Sequence, residues 1–185
     1  MFLVGFMASG KSTVGPELAR RQGWEFVDLD SRIEAREQKT VAAIFRDSGE
    51  SEFRRAETAA LLDVTTNLQL GSVVALGGGA FIQPRNRELL QAWPTVFLDA
   101  PHEELWHRSQ QDGIERPLRQ NRQQFARLYE ERLPYYRQAT ITIDTAGKEP
   151  ASICAEIECA LRLASPADRG GNIAPGHPSS RRDSH

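Results

Sequence analysis

The sequence is poor in cysteine. Its two cysteines, Cys154 and Cys159, are five positions apart, and neither a second pair nor a suitable histidine lies near them. This pattern excludes a disulfide framework and a cysteine-based zinc site. It is compatible with a reducing compartment, so we expect a cytoplasmic protein.

The sequence also lacks an excess of charge of either sign. Its 23 basic and 25 acidic residues give a formal net charge of −2. No global basic field is therefore available to hold nucleic acid or an anionic membrane, and any phosphate binding has to be local. We expect neither nucleic acid nor a membrane as a partner, and a monomer is the default expectation.

Long apolar runs are missing as well. The longest is far shorter than a membrane-spanning helix, and no basic segment precedes residues 1–4, so we expect neither a membrane span nor a signal peptide. The 185 residues, 39% of them apolar, suffice for one packed domain. Residues 165–185 are rich in Gly, Pro, Ser and Arg without an apolar pattern, which predicts a disordered tail after a domain at 1–164.

Short apolar segments alternate with helical stretches along this domain. The alternation predicts an α/β fold with a parallel sheet and helices on both faces. The predicted strands lie at 1–4, 26–29, 73–76, 95–98 and 141–143, and the predicted helices include 12–22, 50–70, 85–92, 101–110, 122–133 and 151–163. Ser31 and Thr40 are predicted N-caps, Gly49 is predicted to separate two helices, and Pro134 is predicted to end one.

A phosphate-binding loop follows the first predicted strand. Gly5 to Ser12 fit the pattern G-x-x-x-x-G-K-[ST], and Lys11 is one of only three lysines in the chain, so a chance match is rare. Such a loop points backbone N–H groups at phosphate oxygens, and the helix that begins there adds its positive dipole end. We expect a nucleoside triphosphate here, with Lys11 reaching its β- and γ-phosphates. The predicted nucleotide-binding residues of the loop are Ala8, Ser9, Gly10, Lys11, Ser12 and Thr13.

The carboxylate for a magnesium ion is predicted to come from the second strand. The apolar run at 73–76 ends in three glycines, whereas many phosphate-loop proteins end such a strand in an aspartate. Asp28 and Asp30 lie at the end of the second strand, and strand alternation would place both on one side. We therefore expect Asp28 and Ser12 to hold Mg²⁺, and Asp30 to face the hydroxyl of an acceptor.

Taken together, the motifs resemble those of the shikimate kinase family. They occur in the family's order and spacing over roughly residues 1–163: the loop at 5–13, Asp28-Leu29-Asp30, Glu52-Phe53-Arg54-Arg55-x-x-Glu57, Gly77-Gly78-Gly79-Ala80, Arg116-Pro117-Leu118 and Tyr129-x-x-Arg132-x-Pro134-x-Tyr136. The resemblance implies transfer of the γ-phosphoryl group of ATP, with Mg²⁺, to the 3-hydroxyl of shikimate, on the pathway to aromatic amino acids.

The resemblance also implies a fold. It is the P-loop NTPase fold of the nucleoside-monophosphate-kinase type, with three α/β/α layers around a five-stranded parallel sheet. An acceptor-binding helical segment is expected at about 31–62 and a mobile lid at about 110–122.

Residues for the acceptor follow from the same resemblance. Shikimate carries a carboxylate and ring hydroxyls, so its pocket needs guanidinium groups, which bind a carboxylate bidentately, and a hydroxyl acceptor that can take a proton. The implied acceptor-binding residues are Asp30, Arg54, Gly77, Gly78, Gly79 and Arg132. Glu57 lies one helical turn after Arg54 and is expected to fix its guanidinium group.

Further basic residues are implied for ATP. Arg116, in the lid, is expected to neutralise charge on the transferring phosphoryl group, so that Lys11, Asp30 and Arg116 form the predicted catalytic set. Arg108 and Lys148 stand where the family contacts adenine, and a guanidinium group can stack on the face of a base.

Two alternatives remain open. The same fold could phosphorylate gluconate or another small polyol, which an assay of ADP release across acceptors would decide. The chain could instead be a catalytically silent nucleotide-binding regulator of a partner. The complete set of Lys11, Asp28, Asp30 and Arg116 argues against that second reading.

Overall fold

Five parallel strands form one sheet in the computed structural model, which describes residues 1–68, 71–111 and 121–163. The strands are β1 (Phe2–Val4), β2 (Glu25–Asp28), β3 (Ser72–Ala75), β4 (Thr95–Asp99) and β5 (Ile141–Asp144), in the spatial order β2-β3-β1-β4-β5. Each neighbouring pair is parallel. β1 and β3 are buried along their whole length, as expected of mostly apolar central strands in a sheet covered on both faces. The predicted five-stranded parallel sheet is confirmed.

Helices cover both faces of this sheet. They are α1 (Lys11–Gln22), α2 (Leu29–Glu37), α3 (Val41–Asn67), α4 (Pro84–Leu90), α5 (His102–Gln111), α6 (Arg122–Tyr136) and α7 (Pro150–Ala160), and a short 3₁₀ turn spans Ala80–Ile82. Because strand side chains alternate between faces, Leu3 packs with α1 and α7, whereas Phe2 and Val4 pack with α3 and α6. The two separate cores confirm the predicted three-layer α/β/α arrangement.

The start of α2 differs from the prediction. Its N-cap is Asp28 and not Ser31: the Asp28 Oδ1 atom accepts a hydrogen bond from the Ser31 backbone N–H at 3.0 Å. Aspartate is a strong N-cap because its carboxylate pairs with an N–H group that has no partner within the helix. Asp30 therefore lies in the first helical turn, and the prediction that strand alternation aligns the two aspartates was wrong.

Other helix boundaries follow the predictions more closely. Thr40 is the N-cap of α3, where its hydroxyl accepts from the Ala43 N–H at 3.1 Å. Gly49, with φ 80° and ψ 174°, interrupts α3 as predicted. The prediction for Pro134 was wrong, since α6 continues through it to Tyr136. Only two helical residues follow this proline, so the hydrogen bond it cannot donate is missing from the last turn alone.

The loops that follow β1, β2 and β3 leave the sheet at one edge, because parallel strands have their carboxyl ends together. The candidate site lies at this edge. The predicted lid, with Arg116, falls mainly on residues 112–120 and the predicted tail on residues 165–185, all of which lie outside the described residues. Among the helices of the described ranges, none is long and apolar enough to span a bilayer.

Candidate active site

A cavity of about 560 Å³ opens at the carboxyl edge of the sheet. It brings together most of the residues that the sequence analysis selected: Ala8, Ser9, Gly10, Lys11, Ser12, Thr13, Asp28, Asp30, Gly77, Gly78, Arg108 and Lys148. Three others do not line it: Gly79 continues the glycine run that begins at Gly77, and Arg54 and Arg132 lie against this run, as described below.

The loop between β1 and α1 has a backbone that requires glycine at its two ends. Gly5 has φ 150°, and a Cβ atom there would lie 2.7 Å from Ser9 Oγ and 2.8 Å from Leu98 O. Gly10 has φ 95° and is the N-cap of α1, and the Val14 N–H donates to its carbonyl at 2.8 Å. The N-terminal N–H groups of a 12-residue helix therefore face the cavity, where they favour an anion.

Lys11 adds a full positive charge at this point. Its Nζ atom donates to the carbonyl oxygens of Gly5 at 2.9 Å and Phe6 at 2.8 Å, and to Ser9 Oγ at 3.2 Å. These contacts hold the ammonium group within the loop, beside the helix N-terminus. A phosphate group here would meet backbone N–H groups and a cation together.

The two aspartates reach the cavity from different elements. Asp28 caps α2 through Oδ1 at the end of β2, and its side chain lines the cavity. Asp30 lies against the glycine run: a Cβ atom on Gly77 would be 2.7 Å from Asp30 Oδ1 and 3.3 Å from Glu57 Oε1. Only glycine at this position lets the Asp30 carboxylate approach the backbone so closely.

Arg54 projects from α3 and is held by two glutamates. Its Nη1 atom donates to Glu57 Oε2 at 2.8 Å, its Nη2 atom contacts Glu50 Oε1 at 3.2 Å, and its guanidinium lies 5.1 Å from the centre of the Phe53 ring. The guanidinium also lies against Gly79, where an added Cβ atom would be 2.6 Å from Cζ. The expected contact between Glu57 and Arg54 is confirmed.

Glu57 is a fully buried carboxylate. Burial raises its pKa above the ordinary value, and the nearby Arg54 and Arg132 oppose that shift. Its Oε1 atom has no hydrogen-bond partner among the described residues and faces the side of Gly77 where Asp30 lies. One oxygen of Glu57 therefore holds Arg54, and the other lies beside Gly77, where Asp30 also lies.

Arg132 approaches the glycine run from α6. Its Nη1 atom would be 3.6 Å from a Cβ atom on Gly78, and its guanidinium lies 5.8 Å from the centre of the Phe6 ring. Tyr136, one turn later on the same helix and fully buried, donates its hydroxyl hydrogen to the Gly78 carbonyl oxygen. Burial raises the pKa of Tyr136 to about 12, so the phenol keeps the proton that this hydrogen bond uses.

Another group of residues forms the part of the cavity near α5 and α7. Arg108 on α5 donates to Glu104 at 2.6 Å and to the Thr145 carbonyl oxygen at 2.7 Å. Lys148 pairs with Glu156 on α7 at 2.7 Å, and both Arg108 and Lys148 line the cavity. The predicted adenine contacts are thus together at one place.

Three of these supporting residues were not assigned a role from the sequence. Tyr136 belongs to a motif that was recognised, but nothing in the sequence indicated that it bonds to a glycine carbonyl 58 positions away. Glu104 precedes Arg108 by four positions, the spacing of a helical ion pair, and this signal was available. Thr145 follows a strand and carries no local signal at all.

Comparison with known proteins identifies the family. The model of the shikimate kinase family matches residues 7–162. A shikimate kinase of Persephonella marina is 42% identical over 159 residues, which cover 85% of this chain and 95% of the relative, and one of Aromatoleum aromaticum is also 42% identical, over 86% and 93%. The solved structure of shikimate kinase from Acinetobacter baumannii in complex with shikimate is 38% identical and superposes with a TM-score of 0.79, over 87% of this chain and 92% of that one. The family model spans most of the chain and these relatives are matched along nearly their whole length, so the chain belongs to the shikimate kinase family.

Proposed function

We propose that this chain transfers the γ-phosphoryl group of ATP to the 3-hydroxyl of shikimate, giving shikimate 3-phosphate and ADP, a step in the synthesis of aromatic amino acids. The observation that carries the proposal is the glycine run. Its three successive residues are approached by three different groups: Gly77 by Asp30, Gly78 by Arg132 and Gly79 by Arg54. An anionic ring alcohol needs this combination of one hydroxyl acceptor and two cationic groups.

The phosphates of ATP are assigned to the loop between β1 and α1. Its N–H groups and the N-terminus of α1 would bind phosphate oxygens, and Lys11 would exchange its contacts with loop carbonyl groups for contacts with the β- and γ-phosphates. Arg108 would stack on the adenine, with the segment at Lys148 on the other side.

Asp28 and Ser12 fit a magnesium ion. Both line the cavity, both offer oxygen ligands, and the described residues contain no cluster of three His, Cys, Asp or Glu side chains that would form a metal cage of its own. Mg²⁺ suits such a sparse site, because it is normally bound by one or two protein oxygens together with water and substrate phosphates. When bound, it neutralises charge on the β- and γ-phosphates.

Asp30 is assigned to the acceptor hydroxyl. In the transfer, the 3-oxygen of shikimate forms a bond to the γ-phosphorus while the bond from that phosphorus to the bridging β,γ-oxygen breaks, and Asp30 takes the hydroxyl proton. Arg54 and Arg132 would hold the carboxylate of the ring and so fix the hydroxyl in line with the phosphorus. Arg116 would neutralise charge on the transferring group from the lid.

The remaining assignments complete the proposal. The acceptor-binding segment is placed at about 31–62, the lid at about 110–122, and the tail at 165–185 after a domain at 1–164. The enzyme is proposed to act in the cytoplasm as a monomer. Loss of water from a closed site would protect ATP from hydrolysis during the transfer.

The test is ADP production with ATP and Mg²⁺ in the presence of shikimate, of gluconate or of no acceptor. We expect turnover that depends on shikimate, abolished in Lys11→Ala and reduced by several orders of magnitude in kcat/KM in Asp30→Asn. Nucleotide binding without any acceptor-dependent turnover would favour a regulatory protein. A preference for gluconate over shikimate would show that the chain phosphorylates a different acceptor.

A further inference from the structure

The part of the cavity between α5 and the segment after β5 has a wall of fixed geometry. Three hydrogen bonds hold the Arg108 guanidinium: Nη1 donates to Thr145 Oγ1 at 3.2 Å, and Nη2 donates to Thr145 O at 2.7 Å and to Glu104 Oε1 at 2.6 Å. Thr145 is itself buried and donates its hydroxyl hydrogen to the Asp99 carbonyl at 2.9 Å, so it is a rigid support. With both Nη atoms engaged, the plane of the guanidinium is fixed, and Arg108 lines the cavity, where a guanidinium group can stack on a base.

Glu104 contacts both Arg108 on α5 and the segment that follows β5. The oxygen that accepts from Arg108 also accepts from the Gly147 backbone N–H at 3.1 Å. Gly147 has φ 62°, a conformation that favours glycine, and it directly precedes the cavity-lining Lys148. One carboxylate oxygen thus joins the arginine on α5 to the 147–150 segment.

The ion pair between Glu104 and Arg108 differs from an ordinary surface pair. Glu104 precedes Arg108 by four residues on α5, the more favourable order for a helical ion pair, and each side chain is about one-third exposed or less. A simple surface pair would involve two side chains only, whereas here the acid also binds the backbone of a second segment, 43 residues away along the chain.

We propose that Glu104 is a positioning residue for the base of the nucleotide: it holds Arg108 and the 147–150 segment at the spacing that a planar aromatic ring requires. The proposal rests on the proposed function only in taking ATP as the donor, and it is independent of which alcohol is phosphorylated. Removing the carboxylate leaves Arg108 only its two hydrogen bonds to Thr145 and takes the acceptor from the Gly147 N–H, so that both contacts with the base weaken while the phosphates keep theirs.

The test compares two ligands that share a diphosphate, of which only one carries adenosine, the base with its ribose. ADP and inorganic pyrophosphate are titrated, with Mg²⁺, into the wild-type protein, Glu104→Ala and the matched control Glu103→Ala. Glu103 is the neighbouring acid on α5 and pairs with His102 at 3.1 Å. We expect Glu104→Ala to weaken ADP binding about tenfold or more and to leave pyrophosphate binding unchanged, and Glu103→Ala to change neither. Glu104→Gln, whose amide oxygen can still accept both hydrogen bonds but without the negative charge, should fall between, and it keeps the test decisive if the alanine variant does not fold.

Two outcomes would overturn the proposal. One is equal ADP affinity in the Glu104 variants and the wild type. The other is an equal loss for ADP and for pyrophosphate, which would indicate a general effect on the fold or on the phosphate loop. Neither titration contains an acceptor. A wild-type protein that fails to phosphorylate shikimate would therefore contradict the proposed function, but it would not change the ADP and pyrophosphate titrations that test the role of Glu104.

Discussion

Gly79→Ala tests the acceptor pocket through a single methyl group. The backbone tolerates alanine there, since Gly79 has φ −99° and ψ −13°, and the loss of glycine entropy in the unfolded chain should even favour folding. The methyl carbon, however, would lie 2.6 Å from Arg54 Cζ, so the guanidinium has to move by about 1 Å to reach ordinary van der Waals distance. The guanidinium is the far end of a flexible side chain, so it can shift at little cost in stability and stay paired with Glu57, but it leaves the position from which it would bind the carboxylate of shikimate.

The expected magnitude follows from the hydrogen bond between Arg54 and the carboxylate of shikimate, which is then lost. A hydrogen bond to a charged group contributes about 1.5–3 kcal/mol, which corresponds to roughly 10-fold to 100-fold in binding. We therefore expect the shikimate KM of Gly79→Ala to rise by about that factor, with the ATP KM unchanged and the Tm equal to or above that of the wild type. Steady-state kinetics with each substrate varied in turn, and a thermal melt, measure all three.

Gly78→Ala is the comparison variant. Its methyl group would lie 3.6 Å from Arg132 Nη1, an ordinary contact distance, so its shikimate KM should rise less than that of Gly79→Ala. A Gly79→Ala protein that is folded and has a shikimate KM within about twofold of wild type would refute the reasoning, because Arg54 would then bind nothing that depends on its position.

Further predictions concern the supports of the site and the core. Tyr136→Phe should raise the shikimate KM with the ATP KM unchanged, because the glycine run loses the hydrogen bond that Tyr136 donates to Gly78. Tyr129→Phe, on the same helix, loses a 2.8 Å hydrogen bond to Asp99 and should lower only the Tm. Glu57 has a raised pKa in the folded state, so its contribution to stability is fully present below the unfolded value of 4.5 and is lost as the pH rises through the folded value. Thermal melts from pH 4 to 8 should show this loss in the wild type and not in Glu57→Gln. An equal dependence of Tm on pH in the two proteins would contradict the prediction. Glu158→Gln breaks a bidentate pair with Arg21, at 2.6 and 2.9 Å, that joins α1 to α7, and denaturant unfolding should show a loss of about 2 kcal/mol with both KM values unchanged.

The sequence predicted the chemistry of the site better than its geometry. The phosphate loop, Asp28 and Asp30 could be selected because phosphate and metal demand these residue types at a local spacing, whereas the arginines were selected through the resemblance to the shikimate kinase family. The strand order could not be predicted, since it depends on which segments pair across 70 residues of chain. The wrong N-cap has a local cause: two residues, Asp28 and Ser31, compete for the start of α2, and the sequence does not show which carboxylate or hydroxyl meets an N–H group. Pro134 shows the same limit, because a proline near a helix end costs too little to determine where the helix stops.

The two separate cores have a consequence for how such an enzyme can change. Helices α1 and α7 pack on one side of the sheet, while α2, α3 and α6, which carry Asp30, Arg54 and Arg132, pack on the other. Substitutions that reshape the alcohol-holding side need not disturb the packing beneath the triphosphate. Evolution can therefore change which molecule receives the phosphoryl group while the phosphate loop and the helices that support it stay the same.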